Sequence, residues 1–365
     1  MSGEANVIRN IALAGKEDFE ESMRRIYAWY EGEIIDRAPV RFWMHNASFN
    51  QPAEERISSE EWKRRWFDAE AVVERFARSI EGKRFLGETF PIFLPNLGPD
   101  VYAAFYGGEL TYGDVTSWSQ PIVKRWEDVA KLKLDMNNSY MRKIDEITDI
   151  ALARCEGKFL VAYTDLHPGI DCALAWRGME QLCYDMMDEP EMVRELAMLA
   201  SQDFGKILGH FDEKLKWQGQ PSINWLEIPS FGKVHVPSAD FATMMSPKQF
   251  EAFALPAIEL EVRGCDHNVF HVDGKGVAHH IDRLLEIPEI QAYQWVQGVA
   301  EDEDIMQWVP LIKRIQGRGK AVIVNLKKEE LEDFISEVRP EGVFLWVGVY
   351  DEEEQRKVIE RVARW

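Results

Sequence analysis

Positive charge is in deficit in this sequence: 43 lysines and arginines against 63 aspartates and glutamates leave a formal net charge of −20 over 365 residues. Such a surface repels a phosphate backbone, so nucleic acid is not an expected partner. Cysteine is scarce as well. The four, Cys155, Cys172, Cys183 and Cys265, form no C-x-x-C pair and no dense framework, which argues against a disulfide scaffold and for a reducing, cytosolic compartment. No long apolar segment occurs, and the opening MSGEANVIRNIALAGKEDFEE carries early acids. Neither a signal peptide nor a membrane span is expected. No G-x-G-x-x-G follows the first candidate strand, and neither G-x-x-x-x-G-K-[ST] nor G-x-S-x-G occurs. Dinucleotide-binding, P-loop and serine-hydrolase readings therefore lose their signatures.

What the chain does have is apolar and aromatic mass: 46% hydrophobic residues, 12% aromatic and thirteen tryptophans. These can fill a large core and a subunit interface, as in a homodimer, or wall a pocket for a flat or apolar ligand. Residues 16–31 read as an amphipathic helix, and 58–82 as a second one that opens on serines and glutamates and stops at Gly82. Extended segments are expected at 38–45, 88–95, 158–167, 222–229, 267–273, 292–298, 320–326 and 342–349. Helical patterns cover 176–215 (broken near Pro190), 246–264 (with Ser246 as its cap), 281–287, 303–318, 327–338 and the end of the chain. Eight apolar strands alternating with helices predict a (β/α)₈ TIM barrel, with a helical arm over 1–36 and inserted helices, as one domain spanning 1–365.

A parallel barrel gathers its chemistry at the C-terminal ends of its strands. Those ends read His45 and Asn46, Glu88, Asp165 and His167, Glu227, then His271 and Asp273. In FHVDGKG (270–276) the histidine and aspartate are two apart, so a strand points both to one side. They can be metal ligands, with Glu227 or His167 as a third, or an acid–base pair. Lys275 in the following glycine turn is a candidate carboxylate or phosphate contact. His235 and Asp240 lie on a long loop, 228–241, of the kind that covers sites. Trp43, Trp225 and Trp295 each stand two residues before a polar strand end, which predicts rings facing the mouth.

The stretches DRAPVRFWMHNAS, WRGMEQLCYDMMDEPEMVREL with Pro168 before it, MSPKQFEAFALPAIELEV and VFHVDGKGVAHHIDRLLEI resemble the uroporphyrinogen decarboxylase superfamily, which includes corrinoid-linked methyltransferases. The resemblance runs from about residue 36 to the end and implies a (β/α)₈ barrel. The decarboxylases' M-R-Q-A-G-R stretch, whose arginines grip substrate carboxylates, corresponds here to Met44, His45, Asn46, Ala47, Ser48 and Phe49. Their pyrrole-binding aspartate falls near Glu88, and their late histidine has no counterpart after His280. Uroporphyrinogen is thus not the implied substrate. The methyltransferases bind zinc through H-x-C and a later cysteine. His271 matches the histidine, Asp273 replaces the first cysteine, and no cysteine follows Cys265.

The resemblance implies a harder, oxygen-rich zinc site at His271 and Asp273, suited to an oxygen or nitrogen substrate, with Glu227 from its strand-end position as the third expected ligand. The expected reaction is methyl transfer between a small molecule and a corrinoid on a partner protein. Glu227, Asp273, His167 and Glu88 are the catalytic candidates. His45, Asn46, Trp225, His235, Asp240, Lys275 and Trp295 are the substrate-contacting ones. Two alternatives stand beside it. One is metal-free decarboxylation of a smaller acid, with Asp273 or Glu227 handling the proton and Lys275 the carboxylate. The other is a catalytically silent, ligand-binding barrel.

Overall fold

The structure is a computed structural model that describes residues 8–43 and 57–365. His45 and Asn46 lie outside the described residues. Twelve strands are described: β1 (Val40–Phe42), β2 (Ile92–Phe93), β3 (Leu110–Tyr112), β4 (Ser117–Ser119), β5 (Leu160–Val161), β6 (Ser222–Ile223), β7 (Pro229–Ser230), β8 (Val234–His235), β9 (His267–Asp273), β10 (Ala292–Val296), β11 (Ala321–Leu326) and β12 (Val343–Val347). Six of them form one curled parallel sheet in the order β1-β12-β11-β10-β9-β8. β2 and β5 make a separate parallel pair. Backbone bonds continue past the ladders, from Glu88 N to Val40 O (2.7 Å), Ala162 N to Phe93 O (2.8 Å) and Tyr163 N to Ile223 O (3.0 Å). β3–β4 and β6–β7 are short antiparallel pairs. The fold is mixed α/β and TIM-like. Among the described residues no helix is long and apolar enough to cross a membrane.

Strands β10 to β12 are apolar nearly throughout because the sheet is covered on both faces. Their residues sort by alternation into two cores. Val269, Ala292, Ile323 and Phe344 join an inner cluster, whereas Phe270, Val272, Tyr293, Val324 and Leu345 pack against the helices. The N-terminal helix, Phe19–Tyr30, contributes Phe19, Met23, Ile26 and Trp29 to the inner cluster. Its Trp29 Nε1 donates to Gly342 O (3.1 Å), just before β12, so this helix closes the floor beneath the sheet.

Glu88 belongs to that floor. The sequence placed it at a strand's outgoing end, but the strand begins only after Pro91, which has no N–H for a ladder. Glu88 is 1% exposed and accepts from Arg37 Nη1 (2.8 Å) and Nη2 (3.0 Å), Arg25 Nη1 (3.2 Å) and Val40 N (2.6 Å). It is a structural anchor rather than a catalytic group.

The long helical pattern at 176–215 is also more broken than expected. It divides into Met179–Asp188, Pro190–Gln202 and Phe204–Trp217, and Gly178 at φ 85° ends the preceding helix, Gly169–Arg177. The helix over 246–264 carries a π-helical segment, Phe250–Ala254, directly before Leu255 and Pro256. Proline cannot donate to the carbonyl four residues back, and the wider turn absorbs the mismatch.

Candidate metal and acid–base site

Strand alternation points His271 inward from β9, beside Gln294 at the matching position of β10. His271 Nδ1 donates to Gln294 Oε1 (2.7 Å), which leaves the Nε2 lone pair open. Nε2 lies 3.9 Å from Asp240 Oδ1. Ligand atoms of Asp240, His271 and Asp273 all fall within 4.8 Å of one another. Burial lowers the His271 pKa and keeps the ring neutral, the form that binds a cation. Asp240 is about half exposed, yet loss of solvent within the cleft, then the neighbouring charge of Asp171, push its carboxyl up to about 7. Two carboxylates and an imidazole crowded together, with the His167 charge as a nearby positive neighbour, offer the donor set of a candidate cation site.

A second histidine stands beside the first in the opposite protonation state. His167 Nε2 meets Asp165 Oδ2 at 2.9 Å, and Nδ1 meets Ser238 Oγ at 2.7 Å. Burial acts to lower its pKa, but Asp165, backed by Asp171 and Asp240, outweighs burial and pushes it up to about 10. The Trp225 ring separates the pair, edge-to-face with His271 at 5.1 Å and 6.4 Å from His167. The His167 charge carries a stability signature. A histidine raised on folding stabilises the fold fully below its unfolded value of 6.5, and that stabilisation is lost as pH climbs toward the folded value of about 10. The unfolding midpoint should therefore fall across this window, and Asp165→Asn should flatten the fall. Ring NMR that finds His167 neutral at about pH 8 would overturn this assignment.

Local sequence explains the placement. The strand end TDLHPG turns into the helix Gly169–Arg177, and Gly169 sits at φ 63° where a Cβ would lie 2.8 Å from Glu261 Oε1. Only glycine allows the helix to start that close.

Other expected site residues lie elsewhere. Glu227 is committed to Arg41, whose Nη2 contacts Oε2 and whose Nη1 donates to Leu226 O (2.6 Å). Arg41 also lies over the Trp346 ring at 4.4 Å. Burial raises the Glu227 pKa against the pull of Arg41, and its backbone holds φ 56°. Asp240, expected as a substrate contact, stands with His271 and Asp273 where Glu227 was expected. His235 is 1% exposed, its ring against Phe204 at 4.3 Å and its Nε2 3.5 Å from Glu261 Oε2. Burial drives it down to about 3 and drives Glu261 up to about 8, so this pair is buried structure behind the site. Lys275 is exposed and pairs with Asp302 (2.7 Å). Trp295 packs against Trp308 at 4.6 Å within the helix-facing core, so Gln294 and not Trp295 faces inward on β10. Trp43 is 47% exposed past the end of β1. Of the three indoles, Trp225 is the one beside the histidines.

Arg41, Asp171, Ser238 and Gln294 were not among the expected site residues. Arg41 had a signal: a lone cation inside an apolar strand requires a buried partner.

No family model matches this chain, and no curated protein matches it. Among solved structures, an intracellular xylanase from Thermoanaerobacterium saccharolyticum JW/SL-YS485 aligns over 86% of each chain at 11% identity, with a TM-score of 0.40 that is too low to support an inference. A methyltransferase from Methanosarcina mazei is similar over 94% of this chain and 98% of its own, at 10% identity and a TM-score of 0.57. The chain shares the overall fold of that methyltransferase.

Proposed function

We propose that this protein is an enzyme that moves a methyl group between a small molecule and a corrinoid carried by a partner protein, at a centre formed by Asp240, His271 and Asp273. The observation that supports it most is the convergence of those three ligand atoms at the position where the sequence resemblance expects a metal, in a fold shared with a methyltransferase. The residues fit a divalent cation such as zinc: one imidazole oriented by Gln294 and two carboxylates gathered with it. When bound, such an ion supplies Lewis acidity to an oxygen or nitrogen atom of the substrate. The chain's own groups do the rest. His167 keeps a proton and a positive charge between Asp165 and Ser238, and Trp225 gives the cleft an apolar wall.

The decarboxylation alternative needs a cation free to hold a carboxylate. Lys275 is paired with Asp302 and Arg41 with Glu227, which weighs against that alternative.

The test combines metal analysis with an absorbance assay that follows methylation of free cob(I)alamin by a panel of O- and N-methylated compounds. One metal per chain and turnover abolished by chelation and restored by zinc are expected. Undiminished turnover in metal-free protein, or no turnover by metal-loaded protein across the panel, would remove the proposal.

A further inference from the structure

We infer that Asp171 is a positioning residue, which sets the loop carrying Asp240 and joins it to His167. The inference rests on the reading of Asp240 as a metal ligand and adds the element that holds it in place. Asp171 lies in the first turn of the helix Gly169–Arg177. It caps nothing in its own helix, and its carboxylate reaches across to residues 238–241 instead. Oδ1 accepts from Phe241 N (3.0 Å), and Oδ2 accepts from both Asp240 N (3.0 Å) and Ser238 Oγ (3.0 Å). Ser238 Oγ in turn accepts from His167 Nδ1 (2.7 Å). One carboxylate therefore fixes the backbone of the residue that offers Asp240 Oδ1 toward His271, and closes the line Asp165–His167–Ser238.

The loop is tied on either side as well, by His271 N to Pro237 O (2.9 Å) and His280 Nε2 to Ala242 O (3.1 Å), but Asp171 holds residues 240 and 241 themselves. The backbone N–H groups of 240 and 241 have Asp171 as their side-chain acceptor, and the Asp240 side chain is half exposed without a hydrogen bond of its own. Residues that orient a metal ligand without touching the metal commonly change affinity 10–100-fold when removed.

Asp171→Ala should weaken zinc binding, measured by competition with a chromophoric chelator, about 10–100-fold. In the metal-free protein it should also speed hydrogen exchange at the amides of Asp240 and Phe241. Ser238→Ala cuts only the branch to His167, so it should shift the His167 ring resonances while zinc affinity stays within about 3-fold, a separation that a general loosening of the fold would not produce. Unchanged protection of the two amides in folded Asp171→Ala overturns the inference, as does unchanged zinc affinity. Wild-type protein that binds no zinc while its two amides are protected through Asp171 removes the functional reading and leaves the positioning role standing.

Discussion

His271→Ala should yield a folded protein without stoichiometric metal, its zinc affinity lowered by about 100-fold or more, beyond what removal of an orienting group alone causes. The Nε2 lone pair is the only nitrogen offered within the Asp240–His271–Asp273 group. Replacing it leaves two carboxylates, one of which titrates near neutral pH. Gln294→Ala is the graded companion. It removes the acceptor that fixes the His271 tautomer while leaving the ligand atom itself, so a loss of about 10–100-fold is expected. Elemental analysis and chelator competition read both variants. Wild-type metal content in His271→Ala would show that the ion, if present, sits elsewhere.

The largest stability effect is expected at the opposite end of the sheet. Glu88→Ala leaves Arg37, 7% exposed, without its carboxylate, takes from Arg25 one of its two acids while Asp36 remains at 2.7 Å, and frees the N–H of Val40. Breaking one side of a buried ion pair typically costs about 3–5 kcal/mol. Denaturant unfolding should show a loss of that order, with zinc affinity of the folded fraction unchanged. Replacing both partners, as in Glu88→Leu with Arg37→Met, should recover much of the loss, because the stranded charge is gone. A Glu88→Ala variant of normal stability but impaired methyl transfer would restore Glu88 to the catalytic set.

How far the sequence disclosed all this varied with the range of the contacts involved. The H-x-D pair was legible because strand alternation is local, and β9 keeps that period from His267 to Asp273. On β10 the same reasoning chose the wrong phase. AYQWV is buried on both faces, so hydrophobicity does not say which side is inner, and Trp295 was set inward in place of Gln294. Glu88 was counted among the outgoing ends although it opens the expected segment 88–95, and β2, Ile92–Phe93, runs away from it. Asp240 stood out as part of a long loop, but its approach to His271 depends on bonds from residues 240 and 241 to a helix 69 and 70 positions earlier. No periodicity records such a contact.

The helix that seals the floor has a kinetic corollary. Phe19, Met23, Ile26 and Trp29, packed among the inward strand residues, fill the end of the sheet away from the centre. On the proposed function, small substrate and bulky carrier would then share the opening at the outgoing strand ends, and the carrier, once seated, would cover it. The small molecule must then enter first and leave last in each half-reaction. Initial-rate patterns should then show the carrier as a dead-end inhibitor at high concentration, competitive with the small molecule, because a carrier seated first covers the shared entrance.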